Sequence, residues 1–204
     1  MRFGPDGYVY NTPEQTGLKL NYDQGVPIEQ GGEGVKGFEG TCGLVSCQNI
    51  MRMAGMKISE ADVVNYARHT KDPRRVFGRL CTVGSTSENN GGTYCLNRKD
   101  ILAHYGIQSF VEAPSIEKIG KYVGEGRGVI LSVDANVLWN RPSKAIERHA
   151  VVVTSVIRDN SPTGSPLKFY ICDSGNRKCA MKVDANDLRR ALVGDMNVTS
   201  QVIR

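Results

Sequence analysis

The sequence predicts an α+β fold, and two features of its 204 residues carry that expectation. In the first half, apolar residues recur at three- and four-residue spacing, the period of helices buried along one side. In the second half, short β-branched runs alternate with clusters of Gly, Asn, Asp and Pro, which is how strands and their turns read. Helices first and antiparallel-looking strands second make an α+β arrangement rather than alternating βαβ units. The length suits one globular domain with one sizeable core.

Taken in order, residues 1–33 carry Gly, Pro, Asn and Asp at short intervals and no sustained period, so they read as an irregular arm or linker. The domain proper then runs over 34–204. The approach QGGEGVKGFEG, residues 30–40, holds five glycines in eleven residues and must turn tightly or flex. From Thr41 to Ala54, Leu44, Val45, Cys47, Ile50, Met51 and Ala54 mark a helix that Gly55 stops. Ser59 can cap a second helix through Val63, Val64 and Ala67, with Glu60 and Asp62 near its positive end. Residues 71–94 include Pro73, Gly78, Gly84 and the polar run STSENNGGT and read as a long surface excursion.

Asn97 is the expected cap of a short helix through Ile101, Leu102 and Tyr105, ended by Gly106 and followed by a strand over 107–111. Another short helix is expected over 115–123. Strands are expected over 129–133, 149–157, 167–172 and 178–183, a last helix over 184–192 with Asp184 as its cap, and a closing strand over 198–203.

Composition excludes several function classes. With 40% hydrophobic and 23% charged residues, the body is not a disordered chain. The longest apolar runs, such as 151–153, are far below the eighteen or so residues of a bilayer-spanning helix, and no apolar signal core follows Arg2. The net charge of +5 comes from scattered pairs such as Arg74-Arg75 and Arg189-Arg190, without the basic stripe and interleaved aromatics of a nucleic-acid reader. Six cysteines, none in a Cys-x-x-Cys pair, make neither a disulfide scaffold nor a structural zinc site, and no cofactor is expected. Cys81 with Cys95, and Cys172 with Cys179, bracket short loops and are bridgeable in an oxidising compartment; reduced thiols are the alternative.

The chemistry-bearing residue is Cys42. A thiol attacks a carbonyl as thiolate, and a helix start or an imidazolium lowers its pKa. Cys42 opens a helix, between Thr41 and Gly43, and its own N–H, unpaired at a helix start, can face a developing oxyanion. A packed core cysteine is the plainer alternative. Three histidines are available as base. His69 and His104 lie on amphipathic helices next to polar loops and read as surface residues, whereas His149 opens the strand HAVVVTSV at the rim of a rigid element. Asp173 ends the strand LKFYICD. If the two strands form a hairpin folded about residue 161, both side chains meet at one rim, where Asp173 can orient the imidazole, with Asn176 as fallback.

On these residues the string EGTCGLVSCQNIMRMAG resembles the nucleophile helix of the papain-like cysteine peptidases, in the branch similar to bacteriocin leader-processing, double-glycine peptidases. GGTYCLNRKDILAHYGI, GRGVILSVD, HAVVVTSV and FYICDSG follow in the order of that branch, so the resemblance covers about residues 30–183. It implies a papain-like fold, a Cys42-His149-Asp173 triad, a protein or peptide substrate, and a glutamine ahead of the cysteine whose amide lines the oxyanion hole. The nearest upstream glutamine is Gln30, twelve residues away and about twice the usual separation; Gln24 or a backbone donor is the alternative.

Hydrolysis, glutamine deamidation and transglutaminase-like transfer share this triad and stay open, as does a catalytically silent peptide-binding module. Papain-like domains of this branch also serve as toxin segments of larger secreted bacterial proteins, acting in the target-cell cytoplasm. That resemblance implies a cognate immunity protein as partner.

Overall fold

In a computed structural model, the structure describes residues 2–4, 7–9, 18–74, 78–159 and 164–203. Helix α1, Cys42–Met53, is enclosed on nearly every side: ten of its twelve residues are buried, Ser46, Gln48 and Asn49 among them. The one-sided burial expected from the spacing is therefore corrected. The polar residues go inside because the segment before the helix supplies partners. Asn49 accepts from the Asn21 N–H at 2.8 Å and donates to the Asn21 carbonyl at 2.7 Å, and Gln48 accepts from the Asn21 amide at 2.9 Å. Buried polar groups are tolerated when satisfied in this way. Residues 18–33 are mostly irregular, as expected of an arm, but Leu20 is buried in the core and Gln48 also donates to Glu33 at 2.8 Å, so this stretch is bound to the body. The earlier part of the expected arm lies largely outside the described residues; Arg2–Gly4 (β1) and Gly7–Val9 (β2) pair antiparallel.

Helix α2, Glu60–His69, starts as expected, with Ser59 and Asp62 exchanging hydrogen bonds in a capping box. Helix α3, Cys95–His104, begins two residues before the expected cap. Asn97 lies inside its first turn, accepting from the Tyr94 N–H at 3.0 Å and donating to buried Asp72 at 2.9 Å. Asp72 also accepts from Arg74 at 2.7 Å, which holds its carboxyl down to about 2. The expected surface excursion is thus anchored at its base, and Leu80 and Cys81 within it are buried. Helix α4, Ile116–Gly124, is capped by Ser115, whose hydroxyl accepts from the Lys118 N–H at 3.2 Å.

The sheet contains β3, Ser109–Glu112; β4, Arg127–Asp134; β5, Arg148–Arg158; β6, Pro166–Asp173; β7, Lys178–Asp184; and β8, Met196–Val202. Their order is β3-β8-β4-β5-β6-β7, and every neighbouring pair is antiparallel. The β5–β6 hairpin forms as expected, with Val152 opposite Cys172; residues 160–163 at its tip lie outside the described residues. Two short helices complete the chain: α5, Ala135–Leu138, which the sequence did not announce, and α6, Ala185–Ala191. Asp184 precedes α6 but does not cap it with its side chain; it pairs with Lys168 at 2.8 Å instead.

Alternate residues of the central strands feed two cores. Ile130, Ala150 and Val152 pack with α1, α2 and α3, while Val129, Leu131, Val151 and Val153 pack with α4 and α6. Period-2 alternation with both faces covered explains the near-continuous β-branched run of β5. The start of α1 and the adjacent ends of β5 and β6 are thereby held by buried elements.

Candidate active site

Cys42 is the first residue of α1, His149 the second of β5 and Asp173 the last of β6. The structure brings the three together. His149 Nε2 lies 2.8 Å from Asp173 Oδ1, and the His149 side chain hydrogen-bonds Cys42, which leaves Nδ1 as the nitrogen for sulfur. Asp173 is fully buried and saturated with donors. Its Oδ1 also accepts from the N–H groups of Gly175 at 3.0 Å and Asn176 at 3.1 Å, and its Oδ2 from Trp139 Nε1 at 2.7 Å. Asn176 therefore supports the carboxylate through its backbone; its side-chain amide reaches Met181 instead.

Burial pushes the Cys42 thiol up, but the hydrogen bond and charge of His149, the bond to Ala150 and the charge of Arg98 outweigh it, so the thiol sits below its ordinary range. Burial likewise disfavours the charged imidazole, yet the bonds to Asp173 and Cys42 and their charges carry His149 up to about 10. For Asp173, burial is again the opposing effect; its bond to His149, the imidazolium charge and the Trp139 and Asn176 bonds hold the carboxyl below its usual value. The direction is the same at all three groups: toward a thiolate-imidazolium pair on a carboxylate. Cys47 and Cys81 go the other way, pushed up to about 12 by burial. Cys42 combines a histidine partner with a lowered pKa.

Close approach fixes the imidazole. A Cβ on Gly175 would lie 2.8 Å from His149 Cε1 and 3.3 Å from the Trp139 ring, so glycine here lets the turn after β6 press on the imidazole. Trp139 tilts against His149 with ring centroids 5.3 Å apart. Sequence reasoning missed Trp139. It is the chain's one tryptophan, five residues past the end of a central strand, and that was the available signal. Gly43 leaves room for the Thr93 hydroxyl, which a Cβ there would displace.

Gln30 is not in this site. It ends a short 3-10 turn, Ile28–Gln30, is exposed, and does not line the cleft beside Cys42, because the glycine-rich stretch folds back at Gly31 and Gly34. Gln24 is the nearer glutamine: its Nε2 donates to the Glu39 carbonyl at 3.2 Å and its Oε1 accepts from Ser174, the neighbour of Asp173, at 2.8 Å. His69 and His104 are exposed, the latter stacked on Tyr66. No disulfide is formed among the described residues; Cys172 and Cys179, on adjacent strands, have sulfurs 3.1 Å apart. Among the described residues no group of three His, Cys, Asp or Glu side chains could hold a metal, and no helix is long and apolar enough to cross a membrane.

A cleft of about 340 Å³ opens beside Cys42 and His149, walled by Thr93, Cys95, Arg98 and Ser132 among others. Its architecture has a known counterpart. A structure from Bacillus anthracis, described as a C39-like peptidase, superposes with a TM-score of 0.62 over 92% of this chain and 97% of that one, at 17% identity. The chain has the papain-like fold of the C39-like peptidases. A double-glycine-motif protease from an AMS/PCAT transporter, solved with a leader peptide, aligns over 79% of the chain with a TM-score of 0.48 and 14% identity. In sequence, uncharacterized proteins of Mycobacterium bovis and Mycobacterium tuberculosis are 28% identical over 141 residues, 58% of this chain. The match spans about 60% of those relatives' length. No protein-family model matches the chain.

Proposed function

We propose that the chain is a cysteine-dependent peptidase or amide hydrolase in which Cys42 is the nucleophile, His149 the general acid and base, and Asp173 the residue that orients the imidazole. The observation that carries this reading is the Asp173–His149–Cys42 relay at the mouth of a cleft, with a lowered thiol facing a raised imidazole. Such a pair holds the nucleophile as thiolate and the proton for the leaving group on its neighbour.

The steps follow from that arrangement. The Cys42 sulfur attacks the amide carbonyl carbon, forming an S–C bond while the carbonyl electrons move to oxygen. The Cys42 N–H, in the first turn of α1 and without a helical acceptor, is the backbone donor available to that oxyanion. Collapse of the tetrahedral species breaks the C–N bond, and the imidazolium gives its proton to the departing amine. Water then attacks the thioester as His149 takes its proton, and the acid leaves with regeneration of the thiolate-imidazolium pair. Asp173, held by four donors, keeps Nε2 protonated and Nδ1 toward sulfur through the cycle.

The test is a proteome-derived peptide mixture incubated with the protein and scored by mass spectrometry for new termini. Cleavages that appear with the parent and vanish with Cys42→Ala and with His149→Ala support the assignment. Cleavage retained by Cys42→Ala overturns it.

A further inference from the structure

The wall of the cleft beyond the triad contains a cation with no carboxylate. Arg98 is 2% exposed, and none of the ion pairs among the described residues includes it. Its Nη2 donates to the Cys95 thiol at 2.7 Å and to the Ser132 hydroxyl at 2.8 Å, and both of these donate onward to the Asp195 carbonyl, at 3.1 and 3.0 Å. Its Nε finds no acceptor, nor does the buried Thr93 hydroxyl beside it. A guanidinium presents five donors in a fork that matches a carboxylate, and withdrawing it from water without an anion is costly. Cys42 already has His149 as its partner.

Arg98 is also close to the reacting atoms. A Cβ on Gly43, the residue after the nucleophile, would lie 3.5 Å from Arg98 Cδ. The guanidinium acts on the Cys42 charge as well, in the direction of a lower pKa. Besides the Cys42–His149 pair, the charged side chains of the cleft are the exposed Arg148 and Asp195, and among the described residues Asp195 forms no ion pair with the buried cation. We propose that Arg98 is a specificity-determining residue that seats a substrate carboxylate, an acidic side chain or a free chain terminus, next to the bond that Cys42 attacks. This rests on the reading of Cys42 as nucleophile. Thr93 and Ser132 flank the seat with hydroxyls able to turn toward an anion.

Two alkylating agents of nearly equal size test the seat. Iodoacetate carries a carboxylate where iodoacetamide carries an amide, and with either one the Cys42 thiolate forms an S–C bond and iodide leaves. The ratio of their rates at Cys42, located by mass spectrometry at one pH, cancels the thiolate fraction and reports the positive charge met by the reagent, so that its change on substituting Arg98 reports the seat. We expect Arg98→Met to lower that ratio by about tenfold, the scale of one charge-assisted hydrogen bond, with Arg98→Lys falling between. An unchanged ratio with Cys42 still selectively labelled overturns the seat and leaves the nucleophile standing. A ratio that falls in Arg148→Gln but not in Arg98→Met overturns it too. Failure of both reagents to label Cys42 selectively overturns the nucleophile, and the seat with it.

The parent protein gives an answer that needs no variant to fold. N-acetylglycine, with a terminal carboxylate, and N-acetylglutamate α-amide, with a side-chain carboxylate, are compared with N-acetylglycinamide as protectants of Cys42 against iodoacetamide. Protection by either acid and not by the amide supports the seat, and the more effective acid identifies the carboxylate it takes. Equal effects of all three overturn it.

Discussion

His149 holds its proton against burial because Asp173 and Cys42 lie on its two nitrogens, and Cys42 loses its proton because that imidazolium is beside it. The two titrations belong to the pair rather than to either residue. On the proposed mechanism the competent form is thiolate with imidazolium, which exists above the lowered thiol pKa and below about 10. Below the window sulfur is protonated and cannot attack; above it the imidazole is neutral and the leaving amine receives no proton. Peptide cleavage measured as kcat/KM against pH should therefore form a bell, with its acid limb below the ordinary thiol range and its alkaline limb near 10. A bell replaced by a rise through the usual thiol range would show that Cys42 and His149 do not act as a pair.

At the scale of elements, the start of α1 is held by a carboxylate from α2. Glu60 is fully buried; its Oε1 accepts from the Thr41 hydroxyl at 2.5 Å and the Gly25 N–H at 2.9 Å, and its Oε2 from the Asn21 amide at 3.1 Å. Burial pushes its carboxyl up, the bonds from Thr41, Gly25 and Asn21 oppose this, and the charge of Glu33 adds to the rise. One side chain thus joins the segment before the helix, the residue before Cys42 and the first turn of α2. All three partners are donors, so an amide in place of the carboxylate turns an NH2 toward a donor. We expect Glu60→Gln to lose about 1–3 kcal/mol of stability in urea denaturation at neutral pH and to slow alkylation of Cys42, because the amide NH2 sets donor against donor in the cluster that holds Thr41. Parent-like stability together with a parent-like alkylation rate would remove Glu60 from that role. In the sequence Glu60 reads as a favourable charge at a helix start, which it also is. Its burial depends on Asn21, Gly25 and Thr41, which converge on it only in the folded chain.

For the molecule as a whole, the legible parts were those written in local periodicity. The β-branched runs marked β4 and β5, the aromatic and apolar residues of LKFYIC marked β6, and the spacing after Cys42 marked α1, because period and burial are tied within one element. The placement of Cys42, His149 and Asp173 was legible for the same reason, since each stands at the end of a well-marked element. Trp139, Arg98 and the anchoring of residues 18–33 were not, because each depends on contacts between distant elements. The alternation along β5 carries a consequence at this scale. Val152 faces the core under α1, whereas Val153 faces the core under α4 and α6, and both are fully buried. Truncating either to alanine removes similar apolar volume, so both variants should lose about 1–3 kcal/mol in urea denaturation. The cavity left by Val152→Ala adjoins the packing that sets α1 against the start of β5, and through it Cys42 against His149. That left by Val153→Ala lies on the other side of the sheet. Cleavage per folded molecule should therefore fall in Val152→Ala and hold in Val153→Ala. Equal losses of activity at matched folded fraction would show that the sheet, rather than the α1 side of the core, sets the distance between Cys42 and His149.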